Sequence, residues 1–353
     1  MSRPTELSSE PLWPTLLEAG VVTGPPPTSD ELESPWFVKL LLAFSGWLAA
    51  IFLLGFIGTG FEFLMRDPVA ALFTGAVLIG AAYALLRRPK NTFFEHLALA
   101  VSLAGQALVA VAFDDLVSQD RARFWGQVVL LQALLAAIMP HFVHRVFSSF
   151  VAVVALAECL RALDTPYLLT GPVLAVVAWL WLREFRFPRS LASLRAVTYG
   201  LTLALLPLQG AAHYDRPSGR FELPGYWTEP WMGEVLSAAV LLALAAALLR
   251  RHGLPLSSRI SLLAMTSLLL WTGASLEAPG ITVGLALVLL GFACANRTLL
   301  GLGILALLFF VGSYYYLLDT TLLHKSQTLL AVGLALLATR FGLRRGLPEA
   351  AHG

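Results

Sequence analysis

Charge is scarce in this chain. Only 13% of its 353 residues are Asp, Glu, Lys or Arg, about half the ~25% of a typical soluble domain. By contrast 58% are hydrophobic and mean hydropathy is +0.75. Lysine is almost missing, being confined to Lys39, Lys90 and Lys325. With a formal net charge of +2 and no basic run interleaved with aromatics, no field attracts a polyanion, so nucleic acid is excluded as a partner. The two cysteines, Cys159 and Cys294, lie in apolar segments. They make neither a disulfide framework nor a zinc spacing, and are expected to pack as buried apolar thiols. A short basic region ahead of an early apolar stretch, the mark of a signal peptide, is also missing. Residues 1–35 instead hold Glu6, Glu10, Glu18, Asp30, Glu31 and Glu33, and the first apolar run is expected to stay as an anchor.

Soluble-enzyme motifs are lacking too. There is no G-x-x-x-x-G-K-[ST], H-E-x-x-H or G-x-S-x-G string. Gly301 to Ala306 matches G-x-G-x-x-A, but it starts inside an apolar run with no strand before it, so the dinucleotide reading fails on context. Small residues that let helices approach closely account for it better. Gly291 with Ala295, Ala100 with Ala104, and Ala239 with Ala243 and Ala247 share this spacing. No cofactor is expected, and the chain reads as non-enzymatic.

What the chain has in abundance is long apolar runs. They cover residues 36–57, 69–86, 96–113, 124–139, 146–163, 168–182, 194–211, 232–249, 258–276, 279–295, 299–317 and 323–340. They are too long and too uniformly apolar for strands, and they lack the alternation of a membrane barrel. Backbone in hydrocarbon must satisfy itself, which leaves helices. The fold class is therefore all-α, a polytopic transmembrane bundle of about twelve short spans. Many are shorter than the ~20 residues that a perpendicular span needs. Residues 1–35 form a cytoplasmic polar leader in which Pro11 to Ala19 suit a short helix. The bundle occupies 36–340, and 341–353 are a cytoplasmic tail. Segments 258–276 and 279–295 are so close that they predict a tight helical hairpin.

Arginine sets the orientation. Alternate breaks and their flanks carry Arg3, Lys39, Arg87, Arg88, Lys90, Arg145, Arg183, Arg186, Arg189, Arg195, Arg250, Arg251, Arg259, Arg297, Arg340, Arg344 and Arg345, which is 17 of the 24 cationic side chains, and the other side carries Arg66, Arg121, Arg123, Arg161, Arg216, Arg220 and Lys325. The richer side is cytoplasmic by the positive-inside rule, with both termini there. Trp125, Tyr226, Trp227, Trp231, Trp271 and Tyr314 to Tyr316 then fall at outer ends, and Trp36, Trp179 and Trp181 at inner ends, as interfacial belts.

Candidate site residues follow from the few polar groups in or near the runs. Gln106 and Gln132 sit mid-span, where amides act as interhelical glue or line a polar path. Glu158 has Arg161 three positions on, a spacing that pairs them on one helix face; Glu234, at the outer start of its run, reads similarly. His141 and His144, three apart, are a weak metal pair with no third ligand in the sequence nearby, and a wet cytoplasmic turn explains them better. The outer turn from Tyr314 to Thr328 combines an aromatic cluster with Asp319, His324 and Lys325. With Trp227, Trp231 and Tyr315 these make a crowded outer rim suited to a partner or ligand. Glu158, Glu234, Asp319 and His324 are the set that a membrane-embedded enzyme would use.

Pro35-Trp36-Phe37-Val38-Lys39-Leu40-Leu41, continuing through Gly46-Trp47-Leu48-Ala49-Ala50, resembles the opening of an uncharacterised bacterial membrane family, domain of unknown function 4401. The Tyr-Tyr-Tyr-Leu stretch and Thr321-Leu322-Leu323-His324-Lys325-Ser326 resemble its closing motif. The resemblance spans roughly residues 30–340 and implies a multi-pass protein of the bacterial inner membrane. It also implies a companion, a small membrane-anchored protein of the GDYXXLXY-motif family, and it supplies no catalytic residues. Two functional expectations follow. The first is a non-enzymatic membrane subunit or scaffold that binds an exported, membrane-anchored partner. The second is a secondary transporter of a small molecule.

Overall fold

A computed structural model describes residues 67–87, 92–117, 120–214, 229–276 and 279–317, with isolated positions within 17–18, 45–56 and 323–337. The described residues form ten α-helices and no strand: α1 Pro68–Leu86, α2 Thr92–Leu116, α3 Arg121–Ile138, α4 Phe142–Ala162, α5 Thr170–Leu182, α6 Leu191–Tyr214, α7 Pro230–Arg251, α8 Arg259–Ser275, α9 Ile281–Ala293 and α10 Arg297–Leu317. A 3-10 turn, Pro166–Leu169, leads into α5, and two more, Glu184–Arg186 and Pro188–Ser190, lead into α6. Each helix coincides with one expected apolar run. The first and last runs, the polar leader and the tail lie outside the described residues, apart from isolated positions.

The count of twelve spans is corrected. Among the described residues six helical segments are long and apolar enough to cross a membrane: Pro68–Leu86, Phe94–Leu116, Phe142–Ala162, Leu191–Ala211, Trp231–Arg251 and Arg297–Tyr314. Helices α5, α8 and α9 have only 13, 17 and 13 residues. At 1.5 Å per residue, 13 residues reach about 20 Å, short of a ~30 Å hydrocarbon layer. Helix α3 carries Arg121, Arg123, Gln127 and Gln132, which dilute its apolar character.

Short connections set neighbouring helices antiparallel, so an up-and-down bundle has two ends. One gathers Arg87, Arg183, Arg186, Arg250, Arg251 and Arg259 and is called the arginine end. The other gathers Asp67, Asp120, Asp164 and Glu229 and is called the acidic end. Local chemistry sets the helix termini. Asp67 caps α1 by accepting from the N–H groups of Val69 and Ala70, at 2.9 and 3.3 Å. Asp120 caps α3 through the Arg123 N–H at 3.1 Å. Such caps contribute about 1 kcal/mol each. Arg145 reaches back to the carbonyls of Met139 and Ala137, placing a cation at the C-terminus of α3. Helices α4, α7 and α9 end alike: the N–H groups of Thr165, Leu254 and Asn296 bond to the carbonyls of Leu160, Leu249 and Gly291. This closure needs a left-handed residue just past the helix, and Asp164, Gly253 and Ala295 fill the position with φ of 61°, 73° and 50°.

Helices α5 and α9 form the centre. Leu174, Val177, Val283, Ala286, Leu287 and Leu290 are fully buried, clothed by Val153 of α4, Leu205 of α6, Leu241 of α7 and Leu299 of α10. Glycine permits the closest approaches. A Cβ on Gly75 or on Gly105 would sit 2.7 Å from the other's carbonyl oxygen, so α1 and α2 touch backbone to backbone. Gly291 rests on Leu300 and Gly303 on Val288, which joins α9 to α10. The small-residue expectation thus holds for Gly291 and Gly303, and Ala100 and Ala104 are buried. It fails for Gly301, which has open space around it, and for Ala239, Ala243 and Ala247, which face outward among the described residues. The expected α8–α9 hairpin turns at Gly280, but α9 leaves α8 for the core while α8 stays against α7. Trp181 is buried, not interfacial; its ring meets Tyr199 edge-on at 4.9 Å and its N–H points to the Thr202 hydroxyl at 3.4 Å. Both cysteine thiols are half-buried and free.

Ala295 bears the cost of a left-handed conformation that glycine avoids, about 1 kcal/mol. Ala295→Gly is therefore expected to raise the thermal midpoint of the detergent-purified protein; an unchanged or lower midpoint would show that the residue is unstrained.

Candidate functional site

Two clusters of buried polar residues join helices to one another. The first joins α2, α3 and α4. Gln132 Nε2 of α3 donates to Gln106 Oε1 of α2 at 2.8 Å, and Gln106 Nε2 donates to Ser102 Oγ, one turn earlier, at 3.1 Å. His144 of α4 completes the group: its Nε2 lies 2.8 Å from Ser102 Oγ and 3.3 Å from Gln106 Nε2, and its Nδ1 lies 3.2 Å from Ser148 Oγ. His144 is 2% exposed, Gln132 4% and Gln106 6%. The Gln106–Gln132 bond joins α2 to α3, and His144, expected in a wet turn, is an interior residue. Among the described residues no three His, Cys, Asp or Glu side chains converge on a metal position.

This network is the seam of the bundle. Helix α2 packs closely on α1 but only sparsely on α3, so hydrogen bonds close the joint between the α1–α2 hairpin and α3–α4. At the arginine end the seam finishes with Glu95 Oε2 facing His141 Nε2 at 3.7 Å. Burial pushes the His141 imidazole below its usual 6.5, partly opposed by the Glu95 carboxylate, with His96 lowering it further.

The second cluster lies towards the acidic end, around Glu234 of α7. The sequence placed this carboxyl at a wet rim with an ion pair. It is instead 1% exposed, because α7 starts beyond the loop and carries residue 234 a full turn into the bundle. Its Oε1 accepts the Gly280 N–H at 3.1 Å, and Ser275 Oγ of α8 lies 3.3 Å from Oε2. Ser275 Oγ also meets Thr282 Oγ1 of α9, and Gln209 of α6 approaches the carboxyl. Gly280 is required here twice over: its φ is 96°, and a Cβ would strike the Phe310 ring at 2.4 Å. The two short helices start at this end, with Gly233 seated on the Tyr167 carbonyl ahead of α5.

The remaining candidates are dispersed. Glu158 pairs with Arg161 at 3.6 Å on α4, part exposed, as the spacing predicted. Trp231, on the first turn of α7, is 51% exposed. Tyr315 is helical in α10, while Trp227, Asp319, His324 and Lys325 lie outside the described residues. The outer rim is thus represented by Trp231. Sequence reasoning missed Ser102, Ser148, Ser275 and Thr282 as partners, and also a fork of Arg195 Nε and a terminal nitrogen on the buried Glu184 carboxylate at 2.9 and 3.2 Å. A signal was available: Ser102 with Gln106, and His144 with Ser148, are polar pairs four apart, which share a face on otherwise apolar helices.

Replacing one partner of a buried pair leaves the other unsatisfied at a cost of about 1–3 kcal/mol, whereas replacing both with apolar groups is close to neutral. Gln106→Leu is therefore expected to lower the unfolding midpoint in denaturing detergent more than Gln106→Leu with Gln132→Leu does. Equal or additive losses would mean that the amides do not pair. His141 gives a pH signature. Its folded value lies below its unfolded one, so the unfolded chain binds the extra proton; stability is full above about 6.5 and declines as pH falls below it. His141→Asn is expected to flatten that decline in thermal melts.

Comparison with curated proteins and with solved structures finds no match. The model of one family, the domain of unknown function DUF4401, matches residues 35–346. That match takes in all ten described helices and both polar clusters, and the chain belongs to this family.

Proposed function

We propose that the chain is a non-enzymatic, multi-pass subunit of the bacterial inner membrane that holds an exported, membrane-anchored partner at its acidic end, with both termini cytoplasmic. The observation that carries this reading is the fate of the intramembrane amides. Gln106, Gln132 and His144 bond to one another across α2, α3 and α4, as in a helix clamp. That leaves interaction to the rim, where Trp231 stands exposed; exposed Trp at a surface is a common anchor for partners. The arginine asymmetry supports the orientation, and the family resemblance suggests a GDYXXLXY-motif companion. A second reading, a secondary transporter, rests on α5 and α9. Short apolar helices that stop at membrane depth and start beside a buried carboxyl are a feature of transporter sites.

The test is purification of the tagged protein from its host in mild detergent, with mass spectrometry of what accompanies it. A stoichiometric membrane-anchored protein, captured at least several-fold less by Trp231→Ala and Lys325→Ala, is the expected result. A lone protein would overturn the subunit reading. Cysteines at positions 106 and 132 that react with soluble thiol reagents would instead support the transporter.

A further inference from the structure

We infer that Glu234 is a proton-binding site: a carboxylic acid kept neutral inside the bundle, whose loss of the proton moves the α8–α9 turn. This goes beyond the subunit reading and does not rest on it. The argument is a count of protons. Ser275 Oγ stands 3.3 Å from Glu234 Oε2, 2.5 Å from Thr282 Oγ1 and 2.9 Å from the Thr272 carbonyl oxygen. Each of these contacts joins two oxygens and needs a proton between them. The hydroxyls of Ser275 and Thr282 bring one each. With an ionised Glu234, one contact sets lone pair against lone pair in a site shut from water. With a carboxylic acid at Oε2 every contact is a hydrogen bond, while Oε1 still accepts from Gly280.

Gln209 of α6 is buried beside the same carboxyl. Among the described residues no countercharge faces the carboxyl. The carboxyl meets Gln209 from α6, Ser275 from α8, and Gly280 and Thr282 from α9. The neighbouring titratable groups on packed elements are the phenols Tyr167, against Gly233, and Tyr314, one turn beyond Phe310; Glu277 lies outside the described residues. On α7 itself Glu229 precedes the carboxyl, and it adds no positive charge.

Release breaks the O–H bond at Oε2 and passes the proton to solvent water beyond the acidic end, forming hydronium and leaving the electron pair on the carboxylate. The new anion then needs donors. Gln209 Nε2 is within reach, and the Gly280 N–H tightens its hold, so the turn against Phe310 is displaced. The site thereby couples one proton to the position of α9, the central short helix.

Infrared spectroscopy of the purified protein in lipid nanodiscs tests this directly. The expected result is a protonated-carboxyl carbonyl stretch at neutral pH that is lost in Glu234→Gln and fades as pH is raised. Ser275→Ala keeps the acid and removes its acceptor, and is expected to shift that band. Spectra of wild type and Glu234→Gln that coincide in this region, or a band untouched by Ser275→Ala, would overturn the proposal. Dicyclohexylcarbodiimide, which modifies neutral carboxyls in apolar surroundings, is expected to label Glu234 equally in sodium and potassium chloride. Protection by sodium alone would make this a sodium site and overturn the proton assignment.

Discussion

Inside an apolar bundle a polar atom has no water to fall back on, and leaving it alone costs several kcal/mol. That constraint explains where nearly every buried polar side chain of this protein sits. The seam residues Ser102, Gln106, Gln132, His144 and Ser148 bond to one another across three helices, with Gln132 Oε1 left without a partner among the described residues. The serines and threonines that stand alone solve the problem within their own helix: Thr198, Thr202 and Ser237 each return a hydroxyl to the carbonyl four residues back. The Glu184 carboxylate, buried at the arginine end, has the Arg195 fork. Glu234 differs from all of these, since among the described residues it has donors and hydroxyls around it but no cation.

The same constraint decided what was legible in the sequence. Ten apolar runs became helices with ends within a few residues of the expected ones, because length and uniform apolarity leave the backbone no alternative. The number of spans was not legible. Apolar length says that a segment avoids water, and both lipid and protein interior satisfy that. Helices α5 and α9 are as apolar as any described helix; each buries one side in the core while Val176, Trp179 and Phe292 stay exposed, and 13 residues are enough to fill that core.

The site residues divide along a similar line. Glu158 with Arg161 was readable because helical spacing alone brings them together. The bridge from Gln106 to Gln132 was readable because two amides at mid-span have few other partners. His144 was misjudged because its nearness to Pro140 and Arg145 suggested a wet turn, while its partners lie forty residues away on α2. Glu234 was misjudged for a related reason: its position near a helix start says nothing about whether α8 and α9 fold over it. Burial of a helix end is a tertiary fact, and the local pattern does not carry it.

Apolar contacts between helices are forgiving, since one leucine surface slides over another with little loss. Hydrogen bonds are not. The joint between the α1–α2 hairpin and α3–α4 is made of groups that meet at one relative depth only. Sliding α2 by a single turn, about 5.4 Å, would strand Gln106, Gln132 and His144 together while leaving most apolar contacts replaceable. The seam therefore fixes the depth of the hairpin against α3–α4 in the folded bundle, a registration that apolar side chains alone do not impose.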